Sequence, residues 1–175
     1  MSPTDHPMGP GRLKGLILTT VALFIILLVV NEPLKTAAAP QGMISFQLAA
    51  TLEQSLAIIT SWHQDGQRWA VMSLAIDFLF ILVYLVTLVR LTGYCLSDRP
   101  GVREQQIGRW VRALFVAAGI SDVGENILLL NNLAAPSDTL SLAATGCALM
   151  KFTGLLLGAA GLVVIRAGRR NPVQH

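Results

Sequence analysis

"WAVMSLAIDFLFILVYLVTLVRL", residues 69–91, is a largely apolar run that contains a single acid, Asp77. A run of this length crosses the hydrocarbon core of a bilayer as a helix. Lipid offers no water to satisfy backbone N–H and C=O groups, so the run must pair them internally, as a helix does. Three further runs read the same way. Residues 13–30 carry Arg12 and Lys14 at their start and Asn31, Glu32 and Pro33 after their end. Residues 110–133 follow a basic loop, and residues 140–165 end against Arg166, Arg169 and Arg170. The alternating ten-residue segments of a transmembrane β-barrel are missing. The chain therefore reads as an all-α polytopic membrane protein, a four-transmembrane-helix bundle with an additional extracytoplasmic amphipathic helix.

Composition agrees with this class. The 175 residues are 53% hydrophobic and only 13% charged, against roughly 25% charged in soluble domains. The net charge of +3 comes from membrane-flanking basic residues, so no nucleic-acid partner is implied. Cys95 and Cys147 form no CxxC pair, and His6, His63 and His175 all lie outside the spans. Thiol-redox and bis-His haem chemistry are thereby excluded, and no metal or other cofactor is expected.

Basic residues also orient the chain. With an inside N-terminus, Arg12, Lys14, Arg90, Arg99, Arg103, Arg109, Arg112, Arg166, Arg169 and Arg170 all face the cytoplasm. Only Lys35 and Arg68 fall outside, and Lys151 is buried. This bias predicts cytoplasmic termini in a cell (inner or plasma) membrane. The expected order is a tail 1–12, the span 13–30, an extracytoplasmic loop 31–68, the span 69–91 and a basic cytoplasmic loop 92–109. The span 110–133, a short outer loop 134–139, the span 140–165 and a tail 166–175 complete it. Within the first outer loop, residues 43–62 gather Leu48, Leu52, Leu56 and Ile59 on one helical face. They read as a helix lying on the bilayer or capping the bundle, entered through the turn Pro40–Gln41–Gly42. A fifth span here, with an outside N-terminus, weakens the charge bias but stays open. The "AAAP" at 37–40 resembles a signal cleavage site. A proline directly after it and the long apolar run favour a retained span.

The polar groups inside the spans carry the functional argument. Asp122, Glu125 and Asn126 are spaced i, i+3, i+4 and share one helical face, extended by Phe115, Ala118 and Leu129. The second span offers Asp77, with Ser73 one turn before it and Tyr84 two turns after. The fourth offers Lys151, flanked on its face by Ala144, Cys147, Gly154 and Gly158. At 1.5 Å per residue, Asp77 and Glu125 lie roughly 12 Å from the outer boundary. Asp122 and Lys151 lie roughly 16–17 Å from it. Four ionisable groups from three helices thus share one layer. A lone charge at the bilayer centre costs at least ~2.5 kcal/mol. Lys151 is expected to neutralise one carboxylate, by depth Asp122. The others need a proton, water, or bonds from Asn126, Tyr84 or Ser73. Interhelical glue explains one Asp–Lys pair but leaves two acids over.

Weaker signals complete the reading. Gly154 and Gly158 form a GxxxG that lets a neighbouring backbone approach, within the chain or in a membrane-protein partner. The segment 43–62 is the other candidate partner surface. Trp62, Trp69 and Trp110 read as interfacial anchors. His63 and Asp65 read as a solvated turn, and Arg99, Arg103 and Arg109 as topology signals that also suit anionic headgroups. Three functions stay open. One is binding or transport of a proton-coupled or cationic, amphipathic ligand, in a pocket opening outward between the second, third and fourth spans. Another is a non-catalytic accessory subunit of a membrane complex. The third is a lipid- or isoprenoid-modifying enzyme using paired carboxylates as acid and base.

Overall fold

A computed structural model describes residues 10–97 and 101–168; Arg99, Arg169, Arg170, His6 and His175 lie outside them. The described residues contain helices and no strand. In order they are α1 (Pro10–Asn31), a 3-10 turn (Glu32–Leu34), α2 (Met43–Gln47), α3 (Leu52–Ser61), α4 (His63–Leu96), α5 (Val102–Ala134) and α6 (Asp138–Ala167). Four of these, α1, α4, α5 and α6, are long and apolar enough to cross a membrane. They are the four expected spans. The chain is a multi-pass membrane protein by this criterion.

The helices outrun the apolar runs. α4 starts six residues before Trp69, and α5 begins eight residues before Trp110. At 1.5 Å per residue each is about 50 Å long, well beyond a hydrocarbon core of about 30 Å. Backbone hydrogen bonding continues past the point where hydropathy ends, which is why composition alone placed these ends inside the loops. Where helices do end, local chemistry explains it. Ser137 accepts from the Leu140 amide and so starts α6 just after Pro136, a side-chain cap on an otherwise orphaned donor.

α5 is the central helix, packed along both α4 and α6. It buries Val111, Phe115, Ala118, Asp122, Glu125, Asn126, Leu129 and Asn132, a stripe at helical spacing. α6 meets it with a narrow stripe, Ser141, Ala144, Ala148, Lys151, Gly154 and Gly158. A Cβ at Gly158 would run into the Phe115 ring, and one at Gly154 would lie 3.1 Å from the Leu114 carbonyl and from Ala118. The GxxxG pair therefore seats α5 within the chain. α1 packs chiefly along α4, through a 2.8 Å Thr20–Thr87 hydroxyl bond and a Phe24–Phe80 ring contact. Most of its surface is exposed.

Residues 35–62 fold over one end of the bundle. They do not form one helix. The chain breaks between α2 and α3, where Thr51 caps α3 by accepting from the Gln54 amide and Asp138 accepts from the Leu52 amide at 2.7 Å. The break rotates the two pieces, so the expected face of Leu48, Leu52, Leu56 and Ile59 is split. Ile59 is buried with Ser55 and Ile58, whereas Leu48 and Leu56 are exposed. The cap is fixed by a small apolar core of Leu34, Met43, Phe46, Ile58, Trp62, Leu74, Leu129 and Ala144. Trp62 is buried here, its indole N–H donating to the Leu34 carbonyl at 2.7 Å, so it is not an interfacial anchor. Trp69 and Trp110 are exposed. His63, at φ +48°, makes the turn into α4. It and Asp65 are exposed, as a solvated turn requires.

Candidate functional site

The geometry of α5 and α6 brings the sequence-predicted groups together. Lys151 lies on the buried stripe of α6, and its Nζ donates to Asp122 Oδ1 at 2.9 Å. The same Nζ is 2.7 Å from Glu125 Oε2, a second charge-assisted contact. Asp122 and Glu125 are adjacent turns of one face, so a single ammonium spans both. Tyr84, two turns past Asp77 on α4, donates its hydroxyl to Asp122 Oδ2 at 2.9 Å. Asn126 donates through Nδ2 to Asp77 Oδ2 at 2.8 Å. Asp122, Glu125, Asn126, Tyr84 and Lys151 are all buried, and Asp77 is half-buried.

Two of the three acids are therefore engaged by one cation. The depth argument paired Lys151 with Asp122, and the structure adds Glu125. Asp77 has the Asn126 amide and no ammonium within bridging distance. The layer holds an excess of acceptors. Asn126 Oδ1 and Glu125 Oε1 are buried without a hydrogen bond, and a buried acceptor left unbonded costs ~1–3 kcal/mol. Three carboxylates against one ammonium leave the cluster two negative charges in excess if all are ionised.

Asp77 faces a cavity of about 170 Å³. Ser73 and Phe80 share its α4 wall. Lys151 and Phe152 come from α6, Phe24 and Leu28 from α1, and Met43 and Gln47 from α2 above. The Lys151 ammonium also lies 4.9 Å from the centroid of the Phe152 ring. The site differs from a pocket opening outward between the second, third and fourth spans. The first span supplies a wall, and Met43, Ile44 and Gln47 of the cap supply another. Asp122 and Glu125 stand behind Lys151 rather than in the cavity wall. Among the described residues, no group of three His, Cys, Asp or Glu side chains is placed to hold a metal ion.

Sequence reasoning missed two parts of this arrangement. Asn31, Gln47 and Phe24 line the cavity, yet no pattern in the uniform apolar run of α1 marks which face meets Asp77. A second polar knot was detectable. Asn132 is seven residues beyond Glu125 and continues the same stripe. Its Nδ2 donates to Ser55 at 3.2 Å and to Ser141 at 3.1 Å, tying the cap to α5 and α6. No protein-family model matches the chain, and neither a curated protein nor a solved structure matches it.

Proposed function

We propose that this membrane protein binds a cationic, amphipathic ligand in the cavity beside Asp77, in exchange for a proton on the acidic layer. The observation that carries the reading is the division of labour among the acids. Lys151 is occupied by Asp122 and Glu125, while Asp77 stands on the cavity wall with, among the described residues, only an amide partner. An ammonium on Asp77 replaces part of the missing countercharge. The surrounding phenyl rings of Phe24, Phe80 and Phe152 give a cation favourable π-faces. Ser73, one turn from Asp77, supplies a hydroxyl to the same wall.

The protein sits in a cell (inner or plasma) membrane with both termini in the cytoplasm, on the strength of the basic-residue bias. Arg90, Arg103, Arg109, Arg112 and Arg166 lie at the bundle end opposite the cap, which carries Lys35 and Arg68. On the same basic-residue bias, residues 35–62 lie on the extracytoplasmic face. Binding of radiolabelled dodecylamine to the protein in lipid nanodiscs tests the site. Asp77→Asn is expected to weaken saturable binding at least tenfold, and unchanged binding would refute the proposal. Exposed Ile44, Leu48 and Leu56 on the cap favour a second reading, an accessory subunit that docks through this surface. In that case a fixed partner co-purifies and Asp77 is dispensable.

A further inference from the structure

Access to the cavity decides the class of ligand, and apolar clusters pack the bundle toward both of its ends. Toward the cap, Met43, Phe46, Trp62, Leu74, Leu129 and Ala144 form one buried cluster. Toward the basic end, Val111, Phe115, Ile165 and Leu96 form another. On the cap side the wall also carries two amides, Gln47 and Asn31, the latter tied to the Gln41 carbonyl and the Met43 amide. A further direction is sideways. α1 leans on α4, and no comparable packing joins it to α6, so the two helices flank a gap. The exposed residues in the cavity wall are Phe24, Leu28, Ile44 and Phe152. The most exposed part of the wall is thus apolar, with the partly exposed Asn31 beside it.

We infer that the ligand is a membrane-dissolved amine, a lipid-like amphiphile that reaches Asp77 from the bilayer through the α1–α6 gap. Its ammonium head occupies the cavity while its hydrocarbon tail stays among the lipid chains. This inference rests on the proposed binding role of Asp77 and adds the route and the ligand class. Size supports it. Apolar cavities of about 150 Å³ hold one benzene-sized molecule, whereas pockets that enclose a whole drug-sized ligand run to about 300 Å³ or more. A cavity of about 170 Å³ accommodates a head and its first few carbons, with no room for a chain. The apolar rim then contacts the chain where it leaves, and Asp77 sets the depth of the head. A water-soluble amine gains nothing from this rim.

The test uses dodecylamine carrying a diazirine on its terminal carbon, photolysed with the full-length protein in nanodiscs and mapped by peptide mass spectrometry. Labelling is expected on the facing surfaces of α1 and α6, around Phe24, Leu28 and Phe152. It should fall at least tenfold in Asp77→Asn and persist in Asp77→Glu, which keeps the charge and reports that the fold is intact. Asp77-dependent labels concentrated on residues 48–61, outside the cavity wall, would overturn the lateral route while leaving the binding reading standing. Labels on α1 and α6 that are indifferent to Asp77→Asn would mark ordinary lipid contact and overturn both.

Discussion

Replacing Lys151 with methionine removes one ammonium and keeps an unbranched side chain of similar reach. The structure says what is lost. Nζ lies 2.9 Å from Asp122 and 2.7 Å from Glu125, and those carboxylate residues are 3% and 0% exposed. At an effective dielectric constant near 20, each contact is worth about 6 kcal/mol of gross attraction. Desolvation of the ions cancels much of that in the intact cluster. Lys151→Met strands both carboxylates without a cation, so a net loss of ~3–5 kcal/mol is expected. Tyr84 still bonds Asp122 and does not replace the charge. Reversible unfolding in mixed detergent–SDS micelles measures this loss. The triple variant Lys151→Met, Asp122→Asn, Glu125→Gln removes all three charges and is expected to recover most of the stability, since neutral replacement of a buried ion set is often harmless. A single variant within 1 kcal/mol of wild type, or a triple variant no better than the single, would refute the account of the layer as a mutually dependent ion set.

Other positions give independent checks. Gly158→Leu forces a side chain into the Phe115 ring and should cost ~1–3 kcal/mol by overpacking in the same assay, whereas Gly15→Ala, with nothing nearby, should be silent. Trp62→Phe keeps an aromatic ring against Phe46 but deletes the donor to the Leu34 carbonyl. A loss of ~1–3 kcal/mol is expected for the buried acceptor left behind, read from the unfolding midpoint. Asn31 accepts from the Met43 amide at 2.7 Å and donates to the Gln41 carbonyl at 3.1 Å. Asn31→Ala should therefore accelerate amide hydrogen exchange over residues 41–47 while leaving that of the α5 core unchanged.

Which features the sequence exposes follows from the range of the forces behind them. The polar stripe of α5 is legible because helical periodicity fixes which residues share a face, and counting the rise aligns Asp122, Glu125, Asp77 and Lys151 across three helices. Their convergence in the structure rests on that arithmetic. The cap is legible only as a helix-forming, apolar segment. Its break depends on Asp138, 86 residues from Leu52 along the chain, and no local pattern announces such a bond. The cavity is less legible still. α1 is so evenly apolar that sequence cannot tell which side touches α4, and the contacts that decide it, Thr20 with Thr87 and Phe24 with Phe80, are spread over the whole first half of the fold.

The position of Lys151 on the helix after α5 has a consequence for biosynthesis. α5 is the least apolar of the four long helices and carries two acids and two amides on one side. Emerging alone from the ribosome and translocon, it presents those groups to lipid with Tyr84 and Asp77 as its available neighbours on α4. The cation that neutralises Asp122 and Glu125 arrives only with α6, joined to α5 through residues 135–137. The two helices therefore suit insertion as a hairpin, held near the translocon until both are complete. A chain truncated before residue 151 should leave α5 poorly integrated, and extending it past Lys151 should rescue integration of the helix already made.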